Sequence, residues 1–171
     1  MGKNTNKRKL PKKLIKQELN ELSVIANKKE VKILGLVSEE IEANSKIPNM
    51  NPYVALKYFK SDWQCFSDWE SQELKEFSSF LEVLSKHTWQ QVYNTGSKIP
   101  KHGLGYTKYE IDEVKSEGIK SRLKSVEKEI SEDINFFELR INQNKLRVHG
   151  FQSQSAFFLV VLDRNHEVFP M

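Results

Sequence analysis

The sequence predicts an α+β domain: a small antiparallel sheet, built from a C-terminal meander plus one earlier strand, with helices packed on one face. Three observations carry this. Tyr53 to Phe59 (YVALKYF) is an aromatic and aliphatic run of strand length. Between Ser71 and Val92, Leu74, Phe77, Leu81, Leu84 and Thr88 recur at steps of three and four, with Phe80 and Trp89 on the flank. The final residues then switch to four β-rich runs, Ile134 to Ile141, Lys145 to Phe151, Ala156 to Leu162 and Glu167 to Phe169. Short polar separators (Asn-Gln-Asn, Gln-Ser-Gln-Ser and Asp-Arg-Asn) divide them, as a meander requires.

The chain has 171 residues, 38% apolar and 29% charged, enough for one domain with a core and an appendage. No stretch approaches the ~18 apolar residues of a membrane span, and no apolar run serves as a signal peptide, which predicts a cytoplasmic protein without a membrane partner. A single cysteine, Cys65, excludes an internal disulfide and a cysteine-cluster zinc site.

Charge is unevenly spread. Seven of the 27 basic residues lie between Lys3 and Lys16, before the first acid, Glu18; without them 20 bases face 23 acids, a net of −3. Such an arm neutralises phosphates and releases counterions, so Lys7, Arg8, Lys9, Lys12 and Lys13 are candidate RNA contacts. A solvated terminus is the competing reading. Leu14 to Ala26 has helical spacing, and Val31 to Val37 (VKILGLV) reads as a short strand weakened by Gly35. With the Pro- and Asn-containing stretch from Ser38 to Pro52, these make residues 1–52 a peripheral arm, helix, strand and linker. The compact body spans residues 53–171.

Within the body, a loop contains Trp63, Cys65, Phe66 and Trp69, whose aromatic rings pack under it or, alternatively, form a base-stacking platform. The apolar helix from Ser71 runs to Val92 and ends by Gly96. Ser97 to Tyr109 (SKIPKHGLGYTKY) follows as a connection between helices, and Lys101, His102, Tyr106 and Lys108 offer donors to an anion or RNA. It lacks the Gly-Lys-Ser/Thr of a phosphate loop, and an ordinary connector is the alternative. Glu110 to Glu132 reads as a largely exposed helix with a thin apolar edge, Leu123, Val126 and Ile130, and a break at Gly118.

Alternation in the meander places Phe137, Leu139 and Ile141 on one side and Phe136, Glu138 and Arg140 on the other. Arg147, His149 and Phe151 likewise oppose Leu146 and Val148. If the apolar set faces the helices, Arg147 and His149 project from an open face. Arg140 joins them from the next strand, with Asp163, Arg164 and His166 at a nearby turn. Arginine forks bind phosphate and histidine transfers protons near neutral pH, so Arg140, Arg147, His149 and His166 are candidate catalytic residues and Arg164 a candidate RNA contact. Cross-strand ion pairing with Glu138 or Glu167, and ordinary turn chemistry at Asp163, are the structural alternatives. His149, Asp163 and His166 have no diagnostic metal spacing, so neither metal nor cofactor is expected.

Two resemblances enter at these residues. Lys57 to Phe59, Gly103 to Tyr106, Arg147 to Phe151 and Leu162 to Pro170 (LDRNHEVFP) are similar to motifs shared by a group of small bacterial proteins, over about two-thirds of the chain. That resemblance implies no activity. More loosely, the element order and Glu138-Leu139-Arg140, with Arg147 on the next strand, resemble RelE-type toxins of toxin–antitoxin systems. This implies a RelE-like fold and a metal-independent ribonuclease acting on messenger RNA at the ribosome, restrained by an antitoxin. Arg140 and Arg147 would then bind phosphate, and His149 or His166 would act as acid or base. The long N-terminal part and the absence of a Lys-rich C-terminal end depart from that pattern. A non-catalytic RNA- or protein-binding module of a defence or immunity system is the alternative.

Overall fold

The computed structural model describes residues 48–96, 103–130 and 134–170. The basic arm, the helix expected at Leu14 to Ala26, the strand expected at Val31 to Val37, and Lys101 and His102 lie outside the described residues.

The chain enters a strand, β1 (Tyr53–Ala55), then two helices, α1 (Ser71–Lys86) and α2 (Trp89–Asn94). A short strand β2 (Thr107–Lys108) and a helix α3 (Glu117–Ile130) precede the meander β3 (Phe136–Arg140), β4 (Arg147–Ser153) and β5 (Ala156–Asp163). The five strands form one sheet in the order β1-β5-β4-β3-β2. The fold is α+β, as expected, with three corrections to the sheet and its layers. First, the sheet is mixed, because β1 pairs parallel to β5 while the other neighbours are antiparallel. Second, the connection before Tyr109 contributes a strand, β2, beside β3. Third, helices cover both faces.

The reason for the third correction is visible in β5. All eight residues of AFFLVVLD are buried. A strand wetted on one side alternates apolar with polar residues, and a continuous apolar run requires cover on both sides. On one face, Phe80, Leu84, Trp89 and Val92 of α1 and α2 pack with Phe137, Leu139, Leu146, Val148, Phe157 and Leu159. On the other, Ile119, Leu123, Val126 and Ile130 of α3 pack with Phe136, Phe151, Phe158 and Val160. Each such side chain removed from water contributes roughly 1.5–3 kcal/mol, so the thin edge of α3 is ample to seat it.

Four boundaries also differ from the sequence reading, beginning with the strand expected over Tyr53 to Phe59, which ends at Ala55. The helix expected over Ser71 to Val92 is interrupted after Lys86, because Thr88 starts a new one. Its hydroxyl accepts from the Gln91 backbone N–H at 3.3 Å and its own N–H donates to Gln91 Oε1 at 2.8 Å. After a short 3-10 turn at Ile111–Glu113 the charged segment becomes α-helical only from Glu117, so Gly118 lies in the first turn, where a Cβ would meet the Trp63 ring at 3.3 Å. Glu167 to Phe169 is not a strand. Gly150 sits inside β4 at a register shift. There a Cβ would lie 2.0 Å from the Phe158 carbonyl oxygen, so only glycine admits β5 that closely.

Candidate functional site

The alternation in the meander is correct, and its consequence is not. Registers Glu138↔His149, Arg140↔Arg147 and Arg147↔Asp163 bring the polar residues of three strands onto one face. That face is closed, by α3 at one end and by residues 164–170 folding back at the other. His149 and Asp163 are wholly buried, and Arg147 and Glu138 are 6% and 7% exposed. Arg147 and His149 therefore do not project into solvent as predicted.

A charge taken this far from water must be paired. Glu138 supplies one pairing: Oε1 lies 3.4 Å from Arg147 Nε and Oε2 lies 3.3 Å from His166 Nε2. The Arg147 guanidinium also donates through Nη1 to the Leu146 and Asn142 carbonyls, at 2.9 and 3.2 Å. Burial lowers the Arg147 pKa, Glu138 and Asp163 oppose that shift, and Arg140 adds to it.

His149 and Asp163 form the second pairing, with Nε2 3.4 Å from Oδ2. On the other side of the ring, Nδ1 is 3.1 Å from the Tyr109 hydroxyl. An ionised carboxylate only accepts, so the ring hydrogen belongs on Nε2, and in the neutral ring Nδ1 accepts from Tyr109. Burial first, then the charges of Glu138 and Asp163, push the Tyr109 pKa well above its ordinary value, keeping the phenol protonated. Asp163 is held below the usual carboxylate range. Burial opposes this, but the His149 contact and two backbone hydrogen bonds outweigh it.

Those two bonds matter most for the site. Asp163 Oδ1 accepts from the Glu167 N–H at 2.7 Å and Oδ2 from the Val168 N–H at 3.0 Å. They fold the chain after β5 into a tight turn whose middle residue is His166. That residue has φ 60°, in the left-handed region that costs a non-glycine side chain of order 1 kcal/mol or more. The ring is thereby set over Glu138, with its side chain 16% exposed. It also lines a pocket of about 600 Å3 shared with Lys115, Lys145, Glu167 and Pro170. His166 is thus the member of the network that reaches both the buried carboxylate and the solvent.

The remaining expected residues divide. Arg164 is committed to the start of α1, with Nε 2.6 Å from Glu73 and Nη2 3.1 Å from Glu70, so its cation is matched by two carboxylates and does not stand ready for RNA. Arg140 donates to Gln143 Oε1 at 3.3 Å and packs beside Gly105, outside the His166 pocket. Tyr106 and Lys108 line a separate cavity. Lys115 and Lys145 escaped the sequence reading. Lys145 stands two residues before Arg147 at the start of a β run, a signal that could have been used; Lys115 carries none.

Among the described residues, no three His, Cys, Asp or Glu side chains converge as a metal site. No helix among them is long and apolar enough to cross a membrane. In comparisons with known proteins, no family model, no curated protein and no solved structure matches the chain.

Proposed function

We propose that this chain is an endoribonuclease of the kind the RelE-type resemblance implies, and that it cuts RNA by acid–base chemistry at the His166 pocket. The observation that carries this is the placement of His166. It is held in a left-handed backbone, backed by buried Glu138 and open to a pocket flanked by Lys115 and Lys145. A carboxylate behind an imidazole fixes the ring and stabilises its charged form as it takes a proton. Two ammonium groups suit a phosphodiester as point charges.

In the reaction, the ribose 2′-hydroxyl gives its proton to His166 as its oxygen bonds to the adjacent phosphorus. The bond to the 5′-oxygen breaks, and that oxygen leaves with a proton from the ammonium of Lys145 or Lys115. The lysines also offset charge developing on the non-bridging oxygens. Arg147 and His149 change role from the sequence expectation: each supports a neighbour from inside the protein. A neutralising protein partner belongs to the same reading.

The burial of Arg147 and His149 is also the observation that favours a non-catalytic binding module, because it removes two of four candidate groups from any substrate. One experiment separates the readings. The full chain and His166→Ala are induced in bacteria, purified, and incubated with single-stranded RNA. Loss of a general acid–base should lower cleavage by roughly 10²–10⁴-fold. Wild-type protein that leaves growth and RNA intact overturns the ribonuclease and leaves the binder. Equal cleavage by both proteins removes His166 from the mechanism.

A further inference from the structure

We propose that a second pocket, on the opposite face of β3 from His166, takes one unstacked base of single-stranded RNA. The proposal rests on the RNA reading above and assigns it a recognition site. The pocket is formed by Tyr93 of α2, Tyr106 and Lys108 around β2, Asn135 and Phe137 at the start of β3, and Gln152 of β4. Its volume is about 220 Å3. That is below the ~300 Å3 at which pockets begin to enclose drug-sized ligands, so it fits a single ring system with the rest of the ligand outside.

The wall chemistry selects the ring. Tyr106 packs on Phe137 at 4.8 Å between centroids and edge-on to Tyr93 at 5.2 Å, which makes an aromatic wall. Unstacked bases are held by such rings, each contributing about 1–3 kcal/mol. Gln152 is fixed beside them: Oε1 accepts from the Tyr93 hydroxyl and Nε2 donates to the Gln154 carbonyl at 2.9 Å. Asn135 adds a second amide, and amides read the donor and acceptor edges of a base. Lys108 is exposed and supplies the cation for the attached phosphate. No carboxylate lines the pocket among the described residues, so a cationic ligand finds no counter-charge there. Burial, with the neighbouring Tyr106, pushes Tyr93 up to about 12 despite its bond to Gln152, so the phenol stays neutral at physiological pH.

This site is separate from the reacting one. Phe137 and Gln152 lie on the sheet face that packs against α1 and α2, whereas His166 meets Glu138 on the other face of β3. The base held here therefore belongs to a different nucleotide from the one that is cut.

Trp89, fully buried and stacked on Tyr93 at 5.7 Å, provides a fluorescent reporter. The full chain is titrated with a five-nucleotide RNA carrying 2′-O-methyl groups, which blocks cleavage, and with an abasic oligomer of equal charge. Tyr106→Ala should weaken the base-containing oligomer about 5–150-fold and leave the abasic one unchanged, while Tyr106→Phe retains most of the affinity. If Tyr106→Ala misfolds, exposed Lys108→Ala substitutes. It should weaken both oligomers and reduce the salt slope by about one phosphate contact. The pocket is overturned if wild type binds neither oligomer, or if Tyr106→Ala and Lys108→Ala both bind as wild type does. It is also overturned if Tyr106→Ala weakens both oligomers equally. His166-dependent cleavage with no Tyr106 effect sinks the pocket alone. Tyr106-dependent binding without cleavage sinks the ribonuclease alone and upholds the pocket.

Discussion

Asp163→Asn is the most informative single change, because one wholly buried carboxylate folds the turn that carries His166. Each backbone hydrogen bond to an ionised acceptor contributes about 1.5–3 kcal/mol, so complete removal of the carboxylate would cost roughly 3–6 kcal/mol. That is a large share of the ~5–15 kcal/mol typical of a domain, so alanine risks global unfolding. Asparagine keeps the volume and one acceptor oxygen while losing the charge and one acceptor, an expected loss of about 2–3 kcal/mol. The pH dependence has a definite sign. Asp163 titrates below its ordinary value in the folded chain, so its contribution is complete above ~pH 3.9 and disappears as pH falls through the folded pKa. Urea denaturation of both proteins at pH 7 and near pH 3 should show a lower midpoint for the variant at unchanged m-value. The gap should narrow in acid, as the aspartate of the unfolded chain takes up its proton while the folded one resists doing so. Unfolding free energies within about 0.5 kcal/mol of each other at neutral pH, or a gap that does not narrow in acid, would refute the argument that this carboxylate organises the turn.

Three further outcomes follow from the same geometry. Gly150→Ala places a methyl 2.0 Å from the Phe158 carbonyl and should cost about 1–3 kcal/mol or more, measured by thermal unfolding. His166→Gly relieves the left-handed backbone, so it should leave stability unchanged or raise it by up to ~1 kcal/mol while lowering RNA cleavage by roughly 10²–10⁴-fold; parallel loss of both would contradict the assigned role. Arg147→Ala leaves Glu138 buried without its arginine and should cost roughly 3–5 kcal/mol. Arg147→Met with Glu138→Gln should be far milder by denaturation, and retained cleavage in that double variant would show that Glu138 does not orient His166.

The meander was legible because side-chain alternation is a local property of a strand. It correctly separated Phe137 and Leu139 from Glu138 and Arg140, and Val148 from Arg147 and His149. What it could not give was the exposure of each face. The polar face looked open because Arg and His are usually solvated, yet α3 and the returning C-terminal segment close over it. The apolar run AFFLVVLD already carried the signal that both faces are covered. Thr88 was similarly readable as a cap interrupting the long helix, since its capping partner, Gln91, lies three residues on.

By itself, the sequence determined the α+β class, the order of strand, helices and meander, and the faces of the residues in β3 and β4, because each depends on local periodicity; the register shift beside Gly150, which puts the adjacent Val160 and Val161 on one face of β5, does not. The tertiary structure decided which of those residues meet. Glu138, Arg147, His149 and Asp163 become two buried pairs only through strand register. His166 meets Glu138, 28 positions earlier, only because Asp163 bends the chain back after β5. Lys115 and Lys145 flank it from elements with no sequence relation to that turn. Such convergence depends on long-range closure of the chain, and no short window of sequence contains it.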